Sequence, residues 1–151
     1  MRYLSVLAAG AMAIVALNGV QAAEVEVKML NRGEKGVMVF EPDLITIQPG
    51  DSVRFVATDK GHNVESIKEM LPAGAEAFTG KMNKELTVTF EQPGAYGVKC
   101  KPHYGMGMVA LVVVGEPENR NEVAEVKHPG KAGKVFTTLF EELDKVQSAA
   151  R

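Results

Sequence analysis

One cysteine, two histidines and a choice of methionines fall close enough together in this chain to share a single metal ion. The run Cys100-Lys101-Pro102-His103-Tyr104-Gly105-Met106-Gly107-Met108 carries a thiol, an imidazole and two thioethers, and Gly61-His62-Asn63 adds a second imidazole from far upstream. Soft sulfur donors combined with imidazole suit copper, and a trigonal His2Cys plane with a long axial methionine is the blue-copper arrangement. Zinc more often takes further cysteines, or a carboxylate and an open water position. Cys100 is the only cysteine, so it has no partner for an internal disulfide. Its alternatives are inert burial, intermolecular pairing, reactivity or metal binding.

Such a site needs rigid supports, and the sequence supplies them. Cys100 closes one strand-like segment and Met108 opens the next, so one short loop delivers Cys100, His103 and a methionine to one point, while His62 arrives from another loop. Met106 and Met108 both reach that loop, and Met108 is the better fixed because it begins a strand. Four protein ligands leave no open position, which favours electron transfer over substrate chemistry. His103, flanked by Pro102 and small glycines, is the expected port for the electron.

The supporting elements are short and β-rich. Val25 to Leu30, Val37 to Phe40, Leu44 to Gln48, Val53 to Ala57, Leu86 to Phe90, Tyr96 to Cys100 and Met108 to Val114 are β-branched or alternating segments. Turn chemistry separates them, as at Pro49-Gly50-Asp51 and Gln92-Pro93-Gly94. Closely spaced strands of this kind predict an all-β Greek-key sandwich or barrel. Ser66 to Asn83 shows no clean period and reads as a long connection with one helical turn. Beyond Gly115 helix formers dominate. Val135, Phe136, Leu139, Phe140, Leu143 and Val146 form one apolar stripe, which predicts C-terminal α-helices packed back on the sandwich. A shorter helix is expected over Asn121 to Lys127, and His128 reads as a solvated turn residue.

Composition sets the outer bounds. The chain has 151 residues, 46% hydrophobic and 24% charged, which fits one globular domain. The uncharged run from Leu4 to Leu17 behind Arg2, ending at small residues before Glu24, reads as a signal peptide cleaved after Ala22 or Ala23. The expected organisation is therefore a leader over 1–22, a domain over 23–115 and a helical extension of that domain over 116–151. Export sends the mature chain to an oxidising compartment, with no membrane anchor after cleavage. A net charge of −2 argues against a general nucleic-acid binder.

The chain resembles the pseudoazurins, which are periplasmic cupredoxins of bacteria. The resemblance is carried by Met38-Val39-Phe40-Glu41-Pro42, by Thr58-Asp59-Lys60-Gly61-His62-Asn63-Val64-Glu65, and by Tyr96-Gly97-Val98-Lys99-Cys100 with Pro102-His103-Tyr104-Gly105-Met106-Gly107-Met108. It implies a cupredoxin-like sandwich of eight strands with C-terminal helices and one type 1 copper on His62, Cys100, His103 and Met108. It further implies single-electron delivery to a denitrification reductase such as copper nitrite reductase; periplasmic cytochromes are the other expected partners, and a monomer is the default state. Around the ligands, Asn63 resembles the family's asparagine that braces the two ligand loops, and Met38 a residue near a ligand imidazole. Pro102, having no N–H, withholds one donor from the region of the thiolate. Arg32, Lys60, Lys99 and Lys101 are expected to form a basic ring that steers the copper end toward an acidic partner.

Other classes are separable by experiment. A copper chaperone or storage protein would exchange its metal readily. A cysteine hydrolase would need an oxyanion site and a Cys100 open to alkylation. An adhesion module would ignore copper.

Overall fold

The computed structural model describes residues 19–151, so the expected leader lies outside the described residues as far as position 18. Its strands are β1 (Glu24–Gly33), β2 (Gly36–Glu41), β3 (Leu44–Ile47), β4 (Ser52–Val56), β5 (Glu65–Ser66), β6 (Leu86–Thr89), β7 (Gly94–Lys99) and β8 (Val109–Val114). A 3-10 helix spans Lys101–Met106, and α1 (Arg120–Ala124) and α2 (Ala132–Ala149) complete the chain.

Two four-stranded mixed sheets face each other, in the orders β2-β1-β4-β6 and β3-β8-β7-β5. The pairs β1/β4 and β3/β8 are parallel and the remainder antiparallel. The expected sandwich is therefore present, and the sheets do not close into a barrel. Alternation explains the first sheet: Val27, Met29, Val53 and Phe55 point inward and are buried, while Glu26 and Lys28 face water.

In β8 every residue is buried, because both of its faces are covered. Ala110, Val112 and Val114 join the core between the sheets, which also contains Phe40, Phe90, Cys100 and Met108. Val109, Leu111 and Val113 point the other way, into a second core with Val123, Phe136, Leu139, Phe140 and Leu143 from the helices. A continuous apolar run in a strand has this origin.

The apolar stripe of α2 thus packs as expected, with two adjustments. Val146 is 52% exposed, and Ala132 is fully buried at the helix start. Each large buried side chain contributes roughly 1.5–3 kcal/mol. The ion pairs Arg120–Asp144 and Lys35–Glu142 also tie down α2, but pairs this exposed are worth about 0–1 kcal/mol each. Burial decides the docking.

The sequence reading missed β5. These two residues pair with Lys99 and Val98 of β7, where only Ser66 falls within the stretch expected to be an irregular connection, and a strand so short has no period to detect. The first C-terminal helix is also shorter than the span Asn121 to Lys127, ending at Ala124. Among the described residues no helix is long and apolar enough to cross a membrane.

Candidate metal centre

The donors meet at one end of the sandwich. Cys100 follows β7 directly, His103 lies in the 3-10 helix, Met108 precedes β8, and His62 sits on the connection from β4 to β5. The loop folds this way because Pro102 fits the first turn of a helix, where no N–H is needed. Gly107 then ends the turn in the left-handed region at φ 93°. Backbone hydrogen bonds close it: Cys100 N donates to Met108 O at 3.0 Å, and Met108 N to His103 O at 3.2 Å.

Among the described residues, His62, Cys100 and His103 bring their donor atoms within 4.8 Å of one another. The two Nδ1 atoms are 3.1 Å apart, and Cys100 Sγ lies 3.7 Å from His62 Nδ1 and 3.6 Å from His103 Nδ1. Bonds of about 2.0–2.3 Å, as imidazole and thiolate make to a first-row ion such as zinc, opening at roughly 100–120°, give donor edges of about 3.1–3.8 Å. The triangle is the right size for one such ion. Met108 is fully buried in the same core cluster as Cys100, whereas Met106 is 48% exposed. This favours Met108 of the two methionines left open by sequence.

Hydrogen bonds set the protonation state of His62. Asn31 Oδ1 lies 2.8 Å from His62 Nε2, and a carbonyl oxygen only accepts, so Nε2 carries the proton and Nδ1 keeps its lone pair for a metal. Burial, aided by the neighbouring His103, lowers the pKa of this imidazole, and Asp59 opposes the shift. Burial also raises the Cys100 thiol pKa, while the main-chain N–H groups of Asn63 and His103 pull the other way. A buried thiolate calls for a cation beside it, which a metal supplies. The soft donor set, its dimensions and the oriented imidazole all fit copper.

The surroundings divide more finely than sequence indicated. Asn63 braces the two ligand loops: its Oδ1 accepts from Lys101 N at 2.8 Å, and its Nδ2 donates to Gly80 O at 3.3 Å and Glu65 Oε2 at 3.2 Å. Met38 packs half-buried against the main core, in the left-handed region at φ 53°. Such a conformation costs a non-glycine residue about 1–2 kcal/mol. The β1/β2 register sets Leu30 against Val39 and Arg32 against Val37, which puts Met38 opposite Asn31, the residue that holds His62. Pro102 is exposed beside half-buried His103, whereas His62 is fully buried.

Of the four basic residues, Arg32, Lys60 and Lys101 are exposed and in no ion pair among the described residues. Lys99 departs from the expectation of a free steering charge. Its Nζ pairs with Glu65 at 3.4 Å and lies 4.9 Å from the centre of the Tyr104 ring. His128 departs as well, since it is half-buried rather than solvated, with Nδ1 2.6 Å from the Tyr104 hydroxyl. Nothing in local sequence pointed to Asn31 or His128, because both act across long separations.

Comparison with known proteins agrees with this geometry. Residues 27–115 match the family described as copper binding proteins, plastocyanin/azurin family. The chain is 56% identical to a pseudoazurin of Paracoccus pantotrophus over 83% of its own length and 88% of the relative's. It is 47% identical to a pseudoazurin of Methylorubrum extorquens, covering 95% of this chain and 99% of the other. The crystal structure of pseudoazurin from Methylobacterium extorquens AM1 is similar at a TM-score of 0.77 and 50% identity, over 80% of this chain and 98% of that one.

Proposed function

Because the chain belongs to the pseudoazurins, within the plastocyanin/azurin family of copper-binding proteins, we propose that it is a periplasmic carrier delivering single electrons to a denitrification reductase such as copper nitrite reductase. Electron transfer on one copper, without enzymatic turnover, is the work of this family. The observation that carries the reading is the convergence of His62, Cys100 and His103 on one buried point.

In this reading His62, Cys100, His103 and Met108 would hold one copper ion. Copper, when bound, supplies a one-electron couple. The protein supplies constancy: Asn31 fixes the ring of His62, Asn63 ties the two ligand loops, and rigid strand ends hold Cys100 and Met108. A site unable to follow its metal between oxidation states exchanges electrons with little rearrangement. His103, half-buried among exposed Pro102, Gly105 and Met106, is the port.

Arg32, Lys60 and Lys101 give that end a positive rim, with Lys99 contributing less because Glu65 neutralises it. The rim steers an acidic partner and acts mainly on the rate of encounter. Residues 1–22 serve as the export leader, 23–115 form the copper domain and 116–151 its helical extension, a division supported by the second core that the helices build on β8.

Stopped-flow oxidation of the reduced protein by a copper nitrite reductase tests the reading. The second-order rate constant falls steeply as salt rises, and Lys60→Glu with Lys101→Glu lowers it further at low salt. A rate indifferent to ionic strength contradicts the steering. Rapid loss of copper to a Cu(I) chelator favours a chaperone or storage role instead.

A further inference from the structure

The ligand loop has an outer support that electron transfer through the copper ligands does not by itself explain. Between α1 and α2 the chain passes back over the 3-10 helix. Lys131 N donates to Gly105 O at 2.9 Å. Gly130, at φ 54°, comes so close that a Cβ there would lie 2.2 Å from Gly105 O, and a Cβ on Gly107 would lie 3.0 Å from Val135 Cγ2. This is a seated contact between the C-terminal arm and the loop carrying His103.

One polar contact within it joins side chains. The Tyr104 hydroxyl and His128 Nδ1 are 2.6 Å apart. The contact is a hydrogen bond whichever partner holds the proton, since a phenol hydroxyl and an imidazole nitrogen can each donate or accept. The His128 ring lies 4.5 Å from the ring of Phe136, centre to centre, tilted by 34°, and Phe136 is buried in the second core. On its other side the Tyr104 ring carries the Lys99 ammonium. A connected path therefore runs from the α2 core through His128 and Tyr104 to His103, the next residue in the chain. His128 has no hydrogen bond to a metal-ligating side chain.

We propose that His128 is a positioning residue for electron transfer, holding the His103 loop in one orientation in both redox states through its hydrogen bond with the Tyr104 hydroxyl. The proposal rests on the assignment of His103 as a copper ligand and port. It gives the C-terminal extension a part in tuning the centre, in addition to its packing on β8.

Amide hydrogen exchange and electron self-exchange, measured on the copper-loaded protein, test it with Tyr104→Phe, His128→Phe, their double variant and His128→Asn. Tyr104→Phe and His128→Phe each raise exchange at the Gly107 and Met108 amides by about tenfold, the effect of losing one hydrogen bond. Each also slows electron self-exchange severalfold, and Val98 and Val112 in the central strands keep their protection. The double variant is no worse than either single one, since the two side chains act through one bond. His128→Asn, whose amide can donate or accept in place of Nδ1, restores both readings. Unchanged loop exchange and electron rate in Tyr104→Phe overturn the proposal, as does full additivity in the double variant. Should His128→Phe unfold, Tyr104→Phe decides alone, because it keeps the ring and removes only the hydroxyl. Failure to bind copper at all in the parent protein would instead refute the underlying ligand assignment.

Discussion

His62 and His103 reach the same point from opposite kinds of structure. His62 is fully buried, its ring fixed by Asn31 on β1, and its neighbour Asn63 is pinned to Gly80, Glu65 and Lys101. His103 lies in a 3-10 turn at the surface, half-buried, with exposed residues around it and the C-terminal arm behind it. An electron carrier needs both conditions. In the proposed reading the inner imidazole anchors the metal in a low-dielectric interior, and the outer one gives a partner a short path to it.

The difference is sharpened most by removing ligands. Cys100→Ser abolishes any thiolate-to-copper absorption. His62→Gly and His103→Gly both lose the native spectrum, but added imidazole restores it far better for His103→Gly, whose cavity opens to solvent. Equal rescue of the two would erase the distinction between anchor and port.

Next comes Asn31→Ala. Orienting partners of metal-bound histidines are worth about 10- to 100-fold in metal affinity, so copper binding weakens by that order while the apo fold persists. Isothermal titration with Cu(II) checks this, and unchanged affinity would mean that packing alone orients His62.

A smaller effect is expected at the outer support. Gly130→Ala introduces both a clash with Gly105 O and an unfavourable positive φ, and destabilises by more than about 1 kcal/mol in urea unfolding. It also loosens the loop of His103 without disturbing His62. A neutral outcome would show that the arm adjusts freely.

The smallest effect concerns pH. His128 is held below its ordinary value of 6.5, chiefly by burial. On acidification the unfolded chain therefore takes up its proton first. Stability contributed by neutral His128 is complete above about pH 7 and declines as pH falls through 6.5 toward the lower folded value. In the metal-free protein the slope of unfolding free energy between about pH 7 and 5 is shallower for His128→Asn. An unaltered slope would assign the dependence to His62, whose pKa is lowered as well.

Sequence exposed the metal ligands of both halves better than the groups that hold them in place. Cys100, His103 and Met108 stand within one loop, and the apolar alternation of β1 and β4 and the unbroken run of β8 mark strands that the fold contains. Asn31, by contrast, meets His62 across 31 positions and His128 meets Tyr104 across 24, separations at which no local pattern operates. β5 escaped because its two residues are held by β7 and not by any periodicity of their own. Lys99 looked like its neighbour Lys101, and only its contacts with Glu65 and Tyr104 tell the two apart.

The most direct test of the metal centre is the visible and electron-spin spectrum of residues 23–151 loaded with one equivalent of Cu(II), before and after ascorbate. An intense blue band that bleaches reversibly, with small copper hyperfine splitting, is the expected result for a buried His2Cys site. Pale copper with ordinary hyperfine splitting, or no bound copper, would contradict the convergence of these ligands.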